Sequence, residues 1–185
     1  MKVFINPGHA PNGWPDPGAC SRQTGLRESD VTVAVGNLVA QYLNAVGIET
    51  VVFQKDALSE VCHRANKLEA DLFISIHCNS VESPYAEGTE TWYCNGSQQG
   101  RLLAECIQDQ IVDSLNTVDR GIKVAVPGRN GLYVLTNTDM PAVLVEFAFI
   151  SNEEIGEGNA RAAGLIGECQ DILRGIRQRG TIEER

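Results

Sequence analysis

Apolar positions along this chain switch repeatedly between a period of two and a period near 3.6. Lys2–Asn6 reads as a short apolar strand that stops at Pro7-Gly8. Asp30–Val46 carries Val31, Val35, Leu38, Val39, Tyr42, Leu43 and Val46 at helical spacing, with Gly47 as the stop. Ile48–Phe53 is β-branched and strand-like, and Ser59–Lys67 reads as a helix with Val61, Ala65 and Leu68 on one side. Strands follow over Leu72–His77 and Thr89–Cys94, then a helix over Gln98–Leu115 with Leu102, Leu103, Cys106, Ile107, Ile111 and Leu115 inward. The remaining pattern predicts strands over Gly131–Thr136 and Ala142–Ile150. A last helix is predicted over Ala160–Arg177, with Leu165, Ile166, Cys169, Ile172, Leu173 and Ile176 inward. Strands alternating with helices imply an α/β fold: a single-domain twisted sheet of about six strands, mostly parallel, with helices on both faces. The Thr89 strand follows the Leu72 strand with no helix between them, so the sheet is expected to be mixed.

One position breaks the apolar pattern. Glu146 lies inside Val143–Ile150, an otherwise apolar run. A lone ionised group in a buried strand is costly, so it needs a partner, a raised pKa or a role. Two of the three histidines lie at predicted strand ends: His9 follows strand one in Asn6-Pro7-Gly8-His9, and His77 closes Phe73-Ile74-Ser75-Ile76-His77. The carboxyl ends of strands frame the usual crevice of an open α/β sheet, so these imidazoles can meet although far apart in sequence. Glu28 opens the first long helix, where a carboxylate also favours the helix dipole. Each of these residues has an ordinary structural use by itself. Together, two imidazoles and a carboxylate make a tetrahedral zinc site with one open position, and Glu146 could then be the base that is not a ligand. His63 is adjacent to Cys62 on a helix, a spacing poorly suited to chelation, and reads as a surface residue. Asn79, two residues after His77, could bind substrate, fix an imidazole or simply form a turn. The Gly- and Pro-rich stretch from Pro7 to Ala19 must be a loop framing the crevice.

Composition narrows the readings further. A chain of 185 residues is long enough for one domain with a real core. A net charge of −9 argues against nucleic acid as a partner. There is no run long enough for a membrane span and no signal peptide in the first residues, so any export route is unspecified. Six cysteines permit disulfides, but a domain of this size does not need them; Cys106 and Cys169 read as buried thiols.

The ordered motifs resemble the zinc-dependent N-acetylmuramoyl-L-alanine amidases of the type-3 amidase family. The matching blocks are Asn6-Pro7-Gly8-His9, Asp16-Pro17-Gly18-Ala19, Gly25-Leu26-Arg27-Glu28, Arg64-Ala65-Asn66, Ser75-Ile76-His77-Cys78-Asn79, Arg120-Gly121-Ile122-Lys123, and Pro141 through Glu146 followed by Phe149-Ile150-Ser151-Asn152. Asn6, Ala10, Pro11 and Gln54 depart from the family pattern, and none of them is a ligand. The resemblance implies one zinc ion per chain held by His9, Glu28 and His77, with Glu146 as catalytic acid and base. It implies hydrolysis of the amide between N-acetylmuramic acid and L-alanine in peptidoglycan, hence action on the cell wall, periplasmic or extracellular. Residues 1–178 would form the catalytic domain and 179–185 a polar tail. Arg120 could meet a substrate carboxylate. The path from Arg120 to Glu146 leaves little room for a long occluding helix, so no obligatory protein activator is expected. Other readings are a zinc peptidase or deacetylase acting on another amide, and a metal-dependent wall-binding module without turnover. A base buried in a strand disfavours the last, since binding alone gains nothing from it.

Overall fold

A computed structural model describes residues 1–130 and 132–152. The predicted helix Ala160–Arg177 and the tail at 179–185 lie outside those residues. Among the described residues, six strands form one sheet: β1 (Lys2–Pro7), β2 (Glu49–Val52), β3 (Leu72–Asn79), β4 (Thr89–Cys94), β5 (Asp119–Ala125) and β6 (Ala142–Phe149). Their spatial order is β2-β1-β3-β6-β4-β5. All pairings are parallel except β4 with β6. The sheet is therefore mixed and mostly parallel, as the missing crossover helix after β3 predicts.

Four α-helices are described: α1 (Glu28–Ala45), α2 (Leu58–Lys67), α3 (Gln98–Leu115) and α4 (Tyr133–Thr136). The pleat of the sheet sorts its side chains into two cores. On one face Val3, Ile5, Leu72, Ile74, Ile76, Val143 and Val145 pack with Val35, Val39 and Leu43 of α1 and with Leu103, Ala104, Ile107 and Ile111 of α3. On the other face Phe4, Phe73, Ala142 and Leu144 pack with Val61, Cys62 and Ala65 of α2 and Val134 and Leu135 of α4. Phe4 stacks on Phe73 across β1 and β3 with centroids 5.6 Å apart. Full burial on both faces is why β1, β3 and β6 read as nearly continuous apolar runs.

Two expectations need correction. Where a strand is predicted over Gly131–Thr136, the described residues Tyr133–Thr136 instead form a single helical turn that sets Val134 and Leu135 into the second core. A run this short shows no period, so its apolar residues, with Tyr133, Val134 and Thr136 among strand formers, mimic a strand. Conversely, β5 is a strand that the pattern hides. Among the described residues it pairs only with β4, at the sheet edge, and every residue but Ala125 is exposed or half-buried, so Arg120, Gly121 and Lys123 are tolerated there.

Candidate metal centre

The sheet has its topological switch between β1 and β3, because β2 lies on one side of β1 and β3 on the other. Ligand crevices of open α/β sheets form there, outside the carboxyl ends of the strands. His9 emerges two residues beyond β1, and His77 lies near the end of β3. The Gly8 N–H donates to the Ile76 carbonyl at 2.9 Å, which ties the two strand ends together. His9 itself takes φ +67°, a left-handed conformation that costs a β-carbon residue on the order of 1 kcal/mol and turns the chain over the crevice.

Glu28, the first residue of α1, meets both histidines. It is 4% exposed. Its Oε2 lies 2.9 Å from His9 Nε2 and accepts the Ala19 N–H at 2.9 Å. Its Oε1 lies 3.1 Å from His77 Nδ1 and accepts the Cys78 N–H at 2.9 Å. One ligand atom from each of His9, Glu28 and His77 falls within 4.8 Å of the others. The imidazole rings stand nearly perpendicular, with centroids 5.1 Å apart. Two glycines make this close approach feasible: a β-carbon on Gly18 would sit 2.5 Å from His9 Cδ2, and one on Gly8 would collide with the His77 ring. Two imidazoles and one carboxylate with ligand atoms this close together are a donor set that suits zinc and leaves a coordination position open.

Asp16 completes the arrangement. Its Oδ2 lies 2.7 Å from His9 Nδ1, and its Oδ1 accepts the Gly18 N–H at 2.9 Å. The carboxylate holds the imidazole with Nδ1 protonated and Nε2 turned to Glu28. The Asp16-Pro17-Gly18-Ala19 motif is visible in the sequence, but this task of its acid is not. Burial alone would lower the His9 pKa, yet the hydrogen bonds and charges of Glu28 and Asp16 outweigh it and raise the value to about 9. For Glu28 burial acts upward, and the hydrogen bonds of His77 and His9 overcome it, holding the carboxyl far below its usual range. The His9 hydrogen bond likewise lowers the Asp16 pKa.

Glu146 faces this triad from the next strand, in direct register with His77. Its Oε2 is buried and has no hydrogen-bond partner among the described residues. Burial first, then the charges of Glu28 and Glu90, raise its pKa to about 7 against the opposing pull of the histidines. His63 is exposed on α2 and takes no part.

The remaining candidates converge on a residue that the sequence reading missed. Asn79 and Arg120 both bind Glu90, a buried carboxylate on β4 in register with Glu146. Glu90 is an acid inside a strand, the signal that revealed Glu146, but Thr89 and Thr91 beside it make the segment look ordinarily polar. The departures from the family pattern lie in the supporting frame. The Gln54 side-chain amide donates to the carbonyls of Gly8 at 3.1 Å and Ser29 at 2.8 Å. Asn6 donates to the Phe53 carbonyl and accepts from the Ser75 hydroxyl.

The family model described as N-acetylmuramoyl-L-alanine amidase matches residues 3–177. The N-acetylmuramoyl-L-alanine amidase LytC of Bacillus subtilis (strain 168) is 38% identical over 156 residues, covering 81% of this chain and 29% of LytC. The chain thus spans less than a third of that relative's length. The N-acetylmuramoyl-L-alanine amidase from Clostridium difficile 630 superposes with a TM-score of 0.82 at 30% identity, covering 96% of this chain and 95% of the other. The CwlD amidase from Clostridioides difficile, solved in complex with the GerS lipoprotein, superposes with a TM-score of 0.83 over 98% of each chain; at 22% identity it shows likeness of fold alone. By its sequence and its fold, this chain belongs to the N-acetylmuramoyl-L-alanine amidase family.

Proposed function

We propose that the protein hydrolyses the amide between the lactyl group of N-acetylmuramic acid and L-alanine in peptidoglycan, and that it does so with one zinc ion. The observation that carries this reading is the clustering of His9, Glu28 and His77, whose ligand atoms lie within 4.8 Å of one another, beside a buried Glu146 oxygen that has no hydrogen-bond partner among the described residues.

His9, Glu28 and His77 would hold the zinc, and Asp16 would keep His9 in the tautomer that a ligand requires. When bound, zinc supplies Lewis acidity towards the amide carbonyl and water. Glu146 takes a proton from the attacking water onto its free carboxylate oxygen. The water oxygen bonds to the carbonyl carbon, and Glu146 then donates that proton to the departing nitrogen as the C–N bond breaks. The products are a muramyl carboxylate and a new L-alanine amino terminus. Burial raises the Glu146 carboxyl to about 7 before any cation binds, and a bound cation would draw it down again, favouring the carboxylate that takes the first proton.

Between Arg120 and Glu146 the only α-helix among the described residues is α4, which packs against α2 in the second core. This supports activity on purified peptidoglycan without a protein partner, although CwlD was solved with one. No described helix is long and apolar enough to cross a membrane. Work on the wall takes place outside the cytoplasm.

The test is a digest of purified peptidoglycan with zinc-loaded protein, combined with metal analysis. New L-alanine amino termini without new reducing ends, one zinc per chain and loss of activity on chelation are expected. Release of free D-amino acids instead would assign the chemistry to a peptidase. Inertness until a partner protein is added would overturn the expectation that no protein activator is needed.

A further inference from the structure

Glu90 is a second buried carboxylate beside this site, and the mechanism above makes no use of it. It is 6% exposed. Its Oε1 accepts hydrogen bonds from Trp92 Nε1 at 3.1 Å and Asn79 Nδ2 at 3.4 Å, and its Oε2 accepts from Arg120 Nε at 3.0 Å. Burying a carboxylate and pairing it with a guanidinium is not an economical way to stabilise a sheet, because desolvation offsets most of the attraction. What the pairing achieves is a fixed Arg120. Glu90 holds its Nε, and the ring of Phe149 lies against its guanidinium face at 4.9 Å. Its two terminal nitrogens carry no hydrogen bond among the described residues, and the side chain is 40% exposed. A guanidinium gripped at its base and along its face presents its outer edge as a two-donor fork, the geometry that matches a carboxylate.

The fork is aligned with the reaction site. His77, Glu146 and Glu90 occupy one row across β3, β6 and β4. Arg120 continues that row onto β5, at the register shift between the Thr89 and Thr91 pairings. Strands lie about 4.8 Å apart, so the Arg120 backbone is roughly 10 Å from that of Glu146. An extended peptide advances about 3.3–3.6 Å per residue, so roughly three residues span that distance. The chain as a whole carries a net charge of −9, which repels anionic peptides, so a local fork decides where a carboxylate can rest.

The geometry points to Arg120 as the receptor for a free carboxylate on the stem peptide, carried within about three residues beyond the scissile amide, with Glu90 as the positioning residue that fixes the guanidinium. This inference rests on the amidase reading and adds a substrate preference to it: peptides with a free carboxylate at that place are cut in preference to those in which it is a carboxamide.

The experiment uses zinc-loaded full chain and soluble muramoyl peptides, with one to three residues after the muramic acid. Each longer peptide is made twice, with the carboxylate free or converted to carboxamide. Wild type is expected to favour the carboxylate about ten-fold in kcat/KM, chiefly through KM. Arg120→Met should abolish the preference, so that carboxylate and carboxamide peptides are cut with the same kcat/KM. Glu90→Gln, which keeps the shape but loosens the guanidinium, should narrow the ratio between the two peptide classes; any change that reaches turnover through Glu146, whose pKa the Glu90 charge helps to raise, falls equally on both classes and leaves the ratio as the readout. Equal cleavage of both peptide classes by wild type would overturn the inference while leaving the amidase reading intact. That comparison needs no variant, so it stands even where Arg120→Met fails to fold. An Arg120→Met enzyme that keeps the wild-type preference would also overturn it. If wild type cuts neither these peptides nor the wall, the amidase reading fails and this inference falls with it.

Discussion

His9, Glu28 and His77 come from a loop, a helix start and a strand end, whereas Glu146 and Glu90 are interior residues of neighbouring strands. The first group compensates its own charge. Glu28 lies between two imidazoles and accepts two backbone N–H groups, and Asp16 braces His9 from behind. The second group is poised differently. Glu90 is occupied by three donors, but Glu146 has a buried oxygen with no hydrogen-bond partner among the described residues. A cation-holding group must present fixed donors, and short-range hydrogen bonds supply that rigidity. A group that accepts and returns a proton must keep an oxygen free and its pKa near neutrality, and a rigid strand supplies that by withholding partners. The same crevice therefore drives its carboxyl pKa values apart, Glu28 downward and Glu146 upward.

The largest effect should come from removing the proton carrier while sparing the ligands. Glu146→Gln is expected to bind zinc normally and to lose about 10²-fold or more of turnover. The same variant tests the electrostatics. The Glu146 carboxyl is raised from 4.5 to about 7. Between those values the folded state binds the proton more tightly than the unfolded state, so stability falls as pH rises from 4.5 to 7 and stays lower above. In chelator-treated protein, Glu146→Gln should therefore match wild type at pH 4 and exceed it at pH 8, by on the order of 1–3 kcal/mol in denaturant melts. Near-normal turnover, or a stability difference independent of pH, would erase the contrast between the two groups.

A smaller effect is expected on the ligand side. Asp16→Asn removes the charge that pins His9 Nδ1, at a residue that is itself no ligand. Zinc affinity should fall roughly 10–100-fold, with turnover restored at saturating metal. Competition titration against a chelator measures this. Unchanged affinity would mean that Glu28 alone orients His9.

How far the sequence disclosed these arrangements depends on how each residue announces itself. Glu146 stands out because its flanking residues are all apolar, and His9 and His77 stand out because they end strands whose pattern is clear. Glu28 is legible only beside the histidines, since a carboxylate in a first helical turn needs no further reason. Glu90 and Asp16 are hidden for opposite causes. Glu90 sits between threonines in a strand that already looks polar, and Asp16 lies in a Gly- and Pro-rich loop with no period to violate. The sheet count came out at six through two compensating differences: the helical turn at Tyr133–Thr136 resembles a strand, and the edge strand β5 does not. Both differences are tertiary in origin, because a single helical turn and an edge strand are each defined by what they pack on. The expected burial of Cys106 holds.

The smallest effect concerns the frame that joins the ligand-bearing segments. Gln54 touches no ligand, yet its amide bridges the carbonyl of Gly8, just before His9, and that of Ser29, just after Glu28. Neither carbonyl is orphaned when the amide is gone: the Thr32 hydroxyl can give its one proton to Gly8 O, at 3.0 Å, or to Ser29 O, at 3.3 Å, and Ser29 O also lies in the first turn of α1, where it accepts a helical N–H. Gln54→Ala should therefore cost only about 0.5–1.5 kcal/mol of stability, the net worth of an ordinary hydrogen bond, rather than the larger penalty of an orphaned buried acceptor. Zinc affinity should fall by less than in Asp16→Asn, because the loop and the helix start can drift slightly but His9 keeps its brace. Thermal melts and the same chelator competition resolve the two quantities. If Gln54→Ala weakens zinc binding as much as Asp16→Asn does, the rigidity of the ligand group resides in the backbone tie between β1 and α1 rather than in the hydrogen bonds of the side chains themselves.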